Sequence, residues 1–191
     1  MAKKGAKVTI LDYSEKALKR SKNFFERNNL SAEFIKEDAL ELPNNLLSKY
    51  DISMSFGLSE HFKNNNRLLI NKAHFDLLKK GGISFIAVPH KFNIPYRIYK
   101  FLAEITKNWK VGEEYPYSRK EFINICKKLN INIYSFFGDS LWWSFNYINP
   151  IVITKKLLKI KDPIDLNKIK KEKGTFLDQY LSYSLVLCGK K

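Results

Sequence analysis

Short apolar segments alternate with amphipathic segments over the first ninety residues of the chain. Alternating or continuous apolar positions predict strands at Lys7–Asp12, Ala32–Lys36, Tyr50–Phe56 and Ile83–Pro89. Apolar residues at helical spacing predict helices over 14–28 and 67–78, with Ser14 as the N-cap of the first. This order is typical of a doubly wound, mostly parallel sheet with helices on both faces.

Several polar segments predict where these elements end. Gly5 predicts the C-terminal cap of a helix whose last turn is Met1–Lys4. Asn64–Asn66 predicts a polar linker before the helix over 67–78, and Lys79-Lys80-Gly81-Gly82 predicts the cap that ends that helix.

The pattern changes after Pro89, where an aromatic and basic stretch extends to Tyr117. Pro95 predicts the start of a helix that continues to about Thr106. A capping box at Ser118–Glu121 predicts a further helix that ends near Leu129. The remaining predicted strands are Ile131–Gly138 and Tyr183–Cys188.

The stretch Tyr50–Phe62 combines a predicted strand with a small polar cluster. The strand stops at Gly57 and is followed by Ser59-Glu60-His61. In open α/β sheets, ligands bind just beyond the carboxyl ends of the strands. The sequence therefore predicts a ligand site at this strand end.

Charge is the strongest feature of the composition: Lys+Arg number 34 against 19 Asp+Glu, a formal net charge of +15. Basic proteins often bind nucleic acid. However, only five of these residues are arginine, the side chain that favours specific phosphate and base contacts, and lysine is abundant together with asparagine and isoleucine. That joint bias indicates an AT-rich genome, so nucleic-acid binding stays a less favoured alternative.

No stretch of the sequence is long and apolar enough to span a bilayer. The 2 cysteines, Cys126 and Cys188, lack the spacing of metal ligands, and no metal site is predicted. We interpret both as buried thiols of a reducing, cytoplasmic compartment.

Four motifs in order carry a resemblance to a known family. They are Asp12 at a strand end, Asp38-Ala39-Leu40-Glu41-Leu42-Pro43, the segment from Tyr50-Asp51 to Phe56-Gly57-Leu58-Ser59-Glu60-His61-Phe62, and Leu77–Gly82. At this spacing the first ninety residues resemble the class I S-adenosylmethionine-dependent methyltransferases, whose fold is Rossmann-like. The later part is similar to the family in outline only.

The resemblance implies S-adenosyl-L-methionine as the cofactor, with S-adenosyl-L-homocysteine as the product. Asp12 would accept hydrogen bonds from the ribose hydroxyls, and Tyr13 would stack on the adenine. Asp38 would accept from the adenine amino group, with the backbone of Ala39 and Leu40 nearby. Phe56, Gly57 and Leu58 would place backbone beside the methionine and adenosine portions. The alternatives are a solvated acid or an N-cap at a strand–helix turn for Asp12, a turn-forming role for Asp38, and a surface or core position for Tyr13.

Two histidines are candidate catalytic groups. His61 would pack under the substrate lid or position the acceptor, and this role is favoured. Alternatively it would act as a general base, because an imidazole titrates near neutrality. His90 follows the predicted strand that ends at Pro89 and is a rival base. Glu60 would hold backbone at a helix start.

The resemblance also implies a single domain over 1–191, with a cofactor-binding half at 1–90 and a substrate-side half at 91–191. Lid segments would lie at about 91–117 and 139–176, where aromatic residues would cover a small-molecule acceptor.

Family members begin with a strand and a glycine-rich loop that have no counterpart here, so the fold is expected to be N-terminally truncated. The missing strand would lie between Lys7–Asp12 and Tyr50–Phe56, which would leave a gap or force the two to pair. Three functions follow as hypotheses: a methyltransferase, a non-catalytic remnant or binding protein, and, more weakly, an RNA-binding or RNA-modifying protein.

Overall fold

The computed structural model of the protein describes residues 1–139, 141–145, 149 and 175–191. The strands are β1 (Thr9–Asp12), β2 (Glu33–Lys36), β3 (Tyr50–Phe56), β4 (Leu78–Pro89), β5 (Ile133–Gly138) and β6 (Ser184–Lys190). The α-helices are α1 (Glu15–Arg27), α2 (Asn64–Asp76), α3 (Ile94–Ile105), α4 (Arg119–Lys128), α5 (Leu141–Ser144) and α6 (Asp178–Leu181). Short 3-10 helices cover Ala2–Lys4, Asn44–Leu46 and Ser59–His61.

The strands form two sheets. β1 and β2 pair in parallel, and the larger sheet has the order β3-β4-β6-β5. β3 and β4 are parallel, and β6 runs antiparallel between β4 and β5. β3, β4 and β5 therefore point in one direction. β1 does not pair with β3, so the direct pairing of these two strands that the sequence left open is not observed.

The core lies on one face of the larger sheet. Ile86 and Val88 of β4 and Leu185 and Leu187 of β6 are buried there, against side chains of α2 and α4. The helical side contributes Phe75, Phe122, Ile125 and Cys126. Alternation along each strand places this set on a single face, and burying that face supplies most of the apolar stabilisation.

The amino-terminal unit, residues 1–42, has no such core. No side chain in residues 1–45 is buried, although Phe25 of α1 packs edge-on against Phe34 of β2. Among the described residues, no hydrogen bond or ion pair joins residues 1–42 to the rest of the chain. An isolated pair of strands with one helix is marginally stable in water, so this unit contributes little stability by itself.

The predicted caps at Gly5, Ser14 and Ser118 are confirmed. Gly5 ends the first short helix with φ of 84°. The Ser14 hydroxyl accepts from the Ala17 N–H at the start of α1, and the Ser118 hydroxyl accepts from the Glu121 N–H at the start of α4. The predicted helix after Pro95 is α3, which has Asn93 as its N-cap.

The polar linker predicted at Asn64–Asn66 is wrong, because these residues form the first turn of α2. Their side chains are exposed to water, and an exposed helical turn needs no apolar side chain. The buried face of α2 is partly polar and includes Asn71 and His74. The amphipathic pattern was therefore too weak to show where the helix begins.

The predicted cap at Lys79–Gly82 is also wrong. α2 ends at Asp76, and residues 78–82 belong to β4. The pairing with β3 is irregular here, since Tyr50 lies opposite Leu78 while Ile52 lies opposite Ile83. Gly82 packs closely on this irregularity, where an added Cβ would meet the Asp51 carbonyl oxygen at 3.1 Å. These glycines serve a strand bulge rather than a helix end.

The lid predicted at 91–117 contains α3 and the extended segment that follows it. The second predicted lid segment, 139–176, lies largely outside the described residues. None of the helices in the described part of the chain is long and apolar enough to cross a bilayer.

Candidate functional site

The predicted cofactor residues all lie at or just after the carboxyl ends of strands. Asp12 ends β1, Asp38 follows β2, and Gly57 follows β3. Parallel pairing brings the ends of β1 and β2 to one edge of their sheet, as it does for β3 and β4. These are the positions where open α/β sheets bind ligands.

Both aspartates use one carboxylate oxygen to fix a turn. Asp12 Oδ1 accepts from the Ser14 N–H at 2.8 Å, and Asp38 Oδ1 accepts from the Leu40 N–H at 2.9 Å. The turn-forming role that the sequence left as an alternative for Asp38 is therefore present, and Asp12 has a similar one. The second oxygen of each carboxylate has no hydrogen bond within the described chain, so each side chain is oriented and can still accept a bond from a ligand.

Two aromatic side chains at these strand ends are open to water. Tyr13 is 75% exposed and Phe56 is 73% exposed. Ala39, Leu40 and Leu58, which also follow strand ends, are half-buried. An aromatic ring exposed to this extent offers a flat apolar surface that a planar ligand can cover.

Gly57 makes the sharp turn between β3 and the Ser59–His61 helix. Its φ is 78°, and its N–H donates to the Ala87 carbonyl at 3.0 Å. A Cβ added here would lie 3.3 Å from Glu60 Oε1. The glycine thus permits both the left-handed backbone and the close approach of a carboxylate.

Glu60, His61 and Glu114 form a cluster next to this turn. One potential ligand atom from each lies within 4.8 Å of the others. Glu60 is only 2% exposed, and its Oε2 has no hydrogen-bond partner. Burial raises the pKa of the Glu60 carboxyl and the Glu114 charge adds to the rise, while its own backbone N–H, His61 and Arg67 oppose it.

His61 has a defined orientation. Its Nδ1 lies 2.8 Å from the Glu113 carbonyl oxygen. A carbonyl only accepts, so Nδ1 carries the proton and the lone pair is on Nε2. The imidazole is exposed at the surface, as a group that meets an acceptor must be.

His90 has a different environment. It is 1% exposed, and its Nδ1 accepts from the Phe92 N–H at 3.1 Å. Burial lowers the pKa of this imidazole to about 4, and the nearby Gln179 backbone opposes this shift to a smaller extent. Nε2 itself has no hydrogen-bond partner. The side chain is neutral at pH 7, with its lone pair engaged.

Arg67 holds together the segments that frame the cluster. Its guanidinium pairs with Glu121 and donates to the carbonyl oxygens of Phe62 and Pro116, both at 3.3 Å. It also stacks on the ring of Tyr117, with 3.5 Å from Cζ to the ring centre. The planar guanidinium makes all of these contacts simultaneously, whereas the ammonium group of a lysine could not.

Sequence reasoning missed Glu114, Tyr96 and Arg67. The Tyr96 hydroxyl donates to Glu114 Oε2, and burial of that phenol raises its pKa far above the usual range. The available signal was the acidic pair Glu113-Glu114 inside an otherwise basic, aromatic stretch. Its position beside His61 depends on how the chain returns after α3, which no local pattern encodes.

Two surface cavities among the described residues bear on the location of the site. One of about 410 Å³ is lined by His61, Phe62, Lys63, Asn64–Asn66 and Glu113, next to the cluster. A larger one of about 550 Å³ lies among residues 2–9 and 29–33, at the opposite end of β1 and β2 from Asp12. The strand-end argument favours the smaller cavity as the functional one.

Comparison with known proteins identifies the class of fold. A family model described as a methyltransferase domain matches residues 1–82. Among solved structures, a SAM-dependent methyltransferase of Thermotoga maritima, described as a possible histamine N-methyltransferase, aligns with a TM-score of 0.60 and 15% identity over 95% of this chain and 72% of its own. No curated protein matches the chain in sequence.

Two further solved methyltransferase structures align with the chain. The magnesium protoporphyrin IX methyltransferase of Synechocystis, solved with bound SAH, aligns with a TM-score of 0.58 and 13% identity over 100% of this chain and 66% of its own. A SAM-dependent methyltransferase of Archaeoglobus fulgidus aligns with a TM-score of 0.54 and 12% identity over 98% and 87%. The chain has the class I S-adenosylmethionine-dependent methyltransferase fold.

Proposed function

We propose that this protein transfers the methyl group of S-adenosyl-L-methionine to a small-molecule acceptor. The observation that carries the proposal is the pair of aspartates at the ends of β1 and β2, each fixed by one oxygen and free at the other. Asp12 would receive the two ribose hydroxyls and Asp38 the adenine amino group. We also propose a cytoplasmic location, because Cys126 and Cys188 are both free thiols, as is usual in a reducing compartment.

The remaining cofactor contacts follow from exposure and backbone geometry. Tyr13 would stack on the adenine, with the backbone of Ala39 and Leu40 at its edge. Phe56, Gly57 and Leu58 would line the methionine and adenosine portions, since the glycine leaves backbone groups accessible there. The cofactor supplies an electrophilic methyl group, and the chain's part is to orient the two reactants and exclude water.

On the acceptor side, His61 is the favoured residue. Its Nε2 holds a lone pair and the ring is exposed, so it could position an acceptor hydroxyl or ammonium and accept its proton. His90 remains the rival candidate. Its burial and its engaged Nδ1 favour His61 over it.

Calorimetric titration of the chain with S-adenosylhomocysteine tests the proposal. Asp12→Asn retains the oxygen that accepts from Ser14 but removes the charge. Since a hydrogen bond to a charged group contributes about 1.5–3 kcal/mol, the substitution should weaken binding roughly tenfold or more. Asp51→Asn is the matched control, because Asp51 is an exposed acid at the opposite end of β3.

Saturable binding that Asp12→Asn weakens and Asp51→Asn leaves unchanged supports the proposal. Equal binding by the Asp12 variant would contradict the placement of the ribose. No binding by the wild-type chain would instead favour the non-catalytic alternative, and salt-sensitive retention of RNA would favour the third.

A further inference from the structure

We propose that Glu60, His61 and Glu114 bind a divalent metal ion of the Mn²⁺ or Zn²⁺ kind at the acceptor side of the site. The sequence predicted no metal here, and the methyltransferase chemistry proposed above does not require one. The three side chains offer two carboxylates and one imidazole within 4.8 Å of one another. Imidazole suits zinc and its neighbours, and carboxylates suit manganese.

The first argument is the state of Glu60. Its side chain is almost wholly buried, yet Oε2 has no partner, and no ion pair of the described residues involves it. The nearby cations are engaged elsewhere: Arg67 pairs with Glu121, Lys63 with Glu113, and Lys100 with Glu104. Glu114 is half-buried, and a buried carboxylate this close to a second one needs a proton or a cation beside it.

The second argument is the orientation of the other two side chains. His61 donates its Nδ1 proton to the Glu113 carbonyl, which leaves Nε2 as the ring nitrogen that can bind a metal ion. The Tyr96 hydroxyl donates to Glu114 Oε2, which orients that carboxylate, and Oε1 has no hydrogen bond among the described residues. Ligating histidines and carboxylates are commonly fixed by hydrogen bonds of this kind.

The third argument is that the two segments carrying the ligands are joined. The Tyr115 N–H donates to the Glu60 carbonyl at 2.8 Å, and the Tyr117 hydroxyl donates to the Ser59 carbonyl at 3.2 Å. Gly57 leaves space for the Glu60 carboxylate. The cluster is therefore held by the backbone on both sides rather than formed by mobile surface side chains.

Three protein ligands leave coordination positions open, which is typical of metal sites that also bind a small molecule. The adjoining cavity at His61 and Glu113 gives access to such a molecule. That an acceptor oxygen would occupy the open position rests on the proposed function. The ion site itself does not rest on it.

Titration of the free chain with Mn²⁺, followed by the loss of the EPR signal of the free ion, tests the proposal. We expect one ion per chain, with Glu60→Gln and Glu114→Gln each weakening binding by roughly tenfold or more. Glu113→Gln is the matched control, since Glu113 is the exposed neighbour that pairs with Lys63, and it should change binding less than about twofold. Circular dichroism of each variant checks that it is folded.

A second measurement uses Zn²⁺ and the imidazole NMR signals of His61, which should shift in a saturable way. Absence of saturable Mn²⁺ binding would overturn the proposal and indicate a shared proton between the carboxylates. Binding that Glu60→Gln and Glu114→Gln leave unaltered, or His61 signals that do not shift, would also overturn it. Neither titration contains cofactor, so failure here is distinct from failure to bind S-adenosylhomocysteine.

Discussion

At the scale of single residues, Gly57 combines two constraints that can be separated. Its φ of 78° is costly for any residue with a Cβ, and that Cβ would also meet Glu60 Oε1 at 3.3 Å. We expect Gly57→Ala to lower the free energy of unfolding by about 1–2 kcal/mol for the backbone, plus the cost of displacing Glu60. Urea denaturation measures the sum.

Gly112 offers a matched control, because its φ is 88° and an added Cβ would meet nothing within 4 Å. Gly112→Ala should therefore show the backbone cost alone. A loss at Gly57 no larger than that at Gly112 would mean that the Glu60 side chain moves freely and that the turn does not hold it.

His74 gives a prediction about acid stability. The imidazole is buried, with Nε2 at 3.0 Å from the Ser55 hydroxyl, and burial lowers its pKa from 6.5 to about 4. The unfolded chain therefore binds a proton first as the pH falls. The stability that this neutral histidine provides is complete above pH 6.5 and is lost as the pH falls towards 4, by about 2–3 kcal/mol.

Comparing urea unfolding of the wild type and of His74→Gln between pH 7 and 4 checks this. The variant keeps a polar group for Ser55 but cannot titrate, so its stability should fall less steeply over this range. Parallel curves for the two proteins would show that His74 has no depressed pKa. His90 has a similar shift and should contribute the same slope to both proteins, so it cancels from the comparison.

At the scale of elements, the two serine caps should differ in what they stabilise. Each hydroxyl accepts from the first turn of its helix, and removing such a cap costs about 1 kcal/mol. α4 packs into the core through Phe122 and Ile125, whereas α1 has no buried side chain. Ser118→Ala should therefore lower the midpoint of the main unfolding transition, while Ser14→Ala should reduce helicity and leave that midpoint nearly unchanged.

Thermal melts followed by near-ultraviolet circular dichroism, together with helicity at low temperature, distinguish the two effects. α1 contains no tryptophan and no tyrosine, so the near-ultraviolet signal reports mainly on the rest of the molecule. An equal drop in midpoint for both variants would mean that α1 unfolds together with the rest of the molecule.

The same elements show what the sequence could predict and where it failed. Ser14 and Ser118 begin their helices as local capping chemistry requires, and β3 has the predicted bounds. The start of α2 was missed because the buried face of this helix is partly polar. The strand character of Lys79–Gly82 was missed because it depends on pairing with β3, which is distant in sequence. In the cluster, Glu60 and His61 are adjacent in sequence, but Glu114 reaches them only through tertiary structure.

At the scale of the whole molecule, the distribution of buried side chains predicts unequal stability. Residues 1–45 bury no side chain, and residues 1–42 have no described hydrogen bond to the remainder, whereas β4 and β6 are central strands of the larger sheet. β1 and β3 each pair on one side only. Regions with few buried contacts open locally at low free energy, so the amides of β1 and α1 should exchange much faster than those of β6.

The proposed cofactor site links this weak region to function. Asp12 and Tyr13 belong to it, while Phe56 and Gly57 belong to the larger sheet. A ligand that contacts both must favour the state in which the amino-terminal unit is ordered, and the free energy of this stabilisation grows with the logarithm of the ligand concentration once that exceeds the Kd. Hydrogen exchange with and without S-adenosylhomocysteine should therefore show slower exchange in β1 and α1 and little change in β6. Asp12→Asn should remove most of this protection, and Asp51→Asn should retain it. Amides of β1 that are already as slow as those of β6 in the free chain would refute the unequal stability, and protection confined to β6 would place the ligand elsewhere.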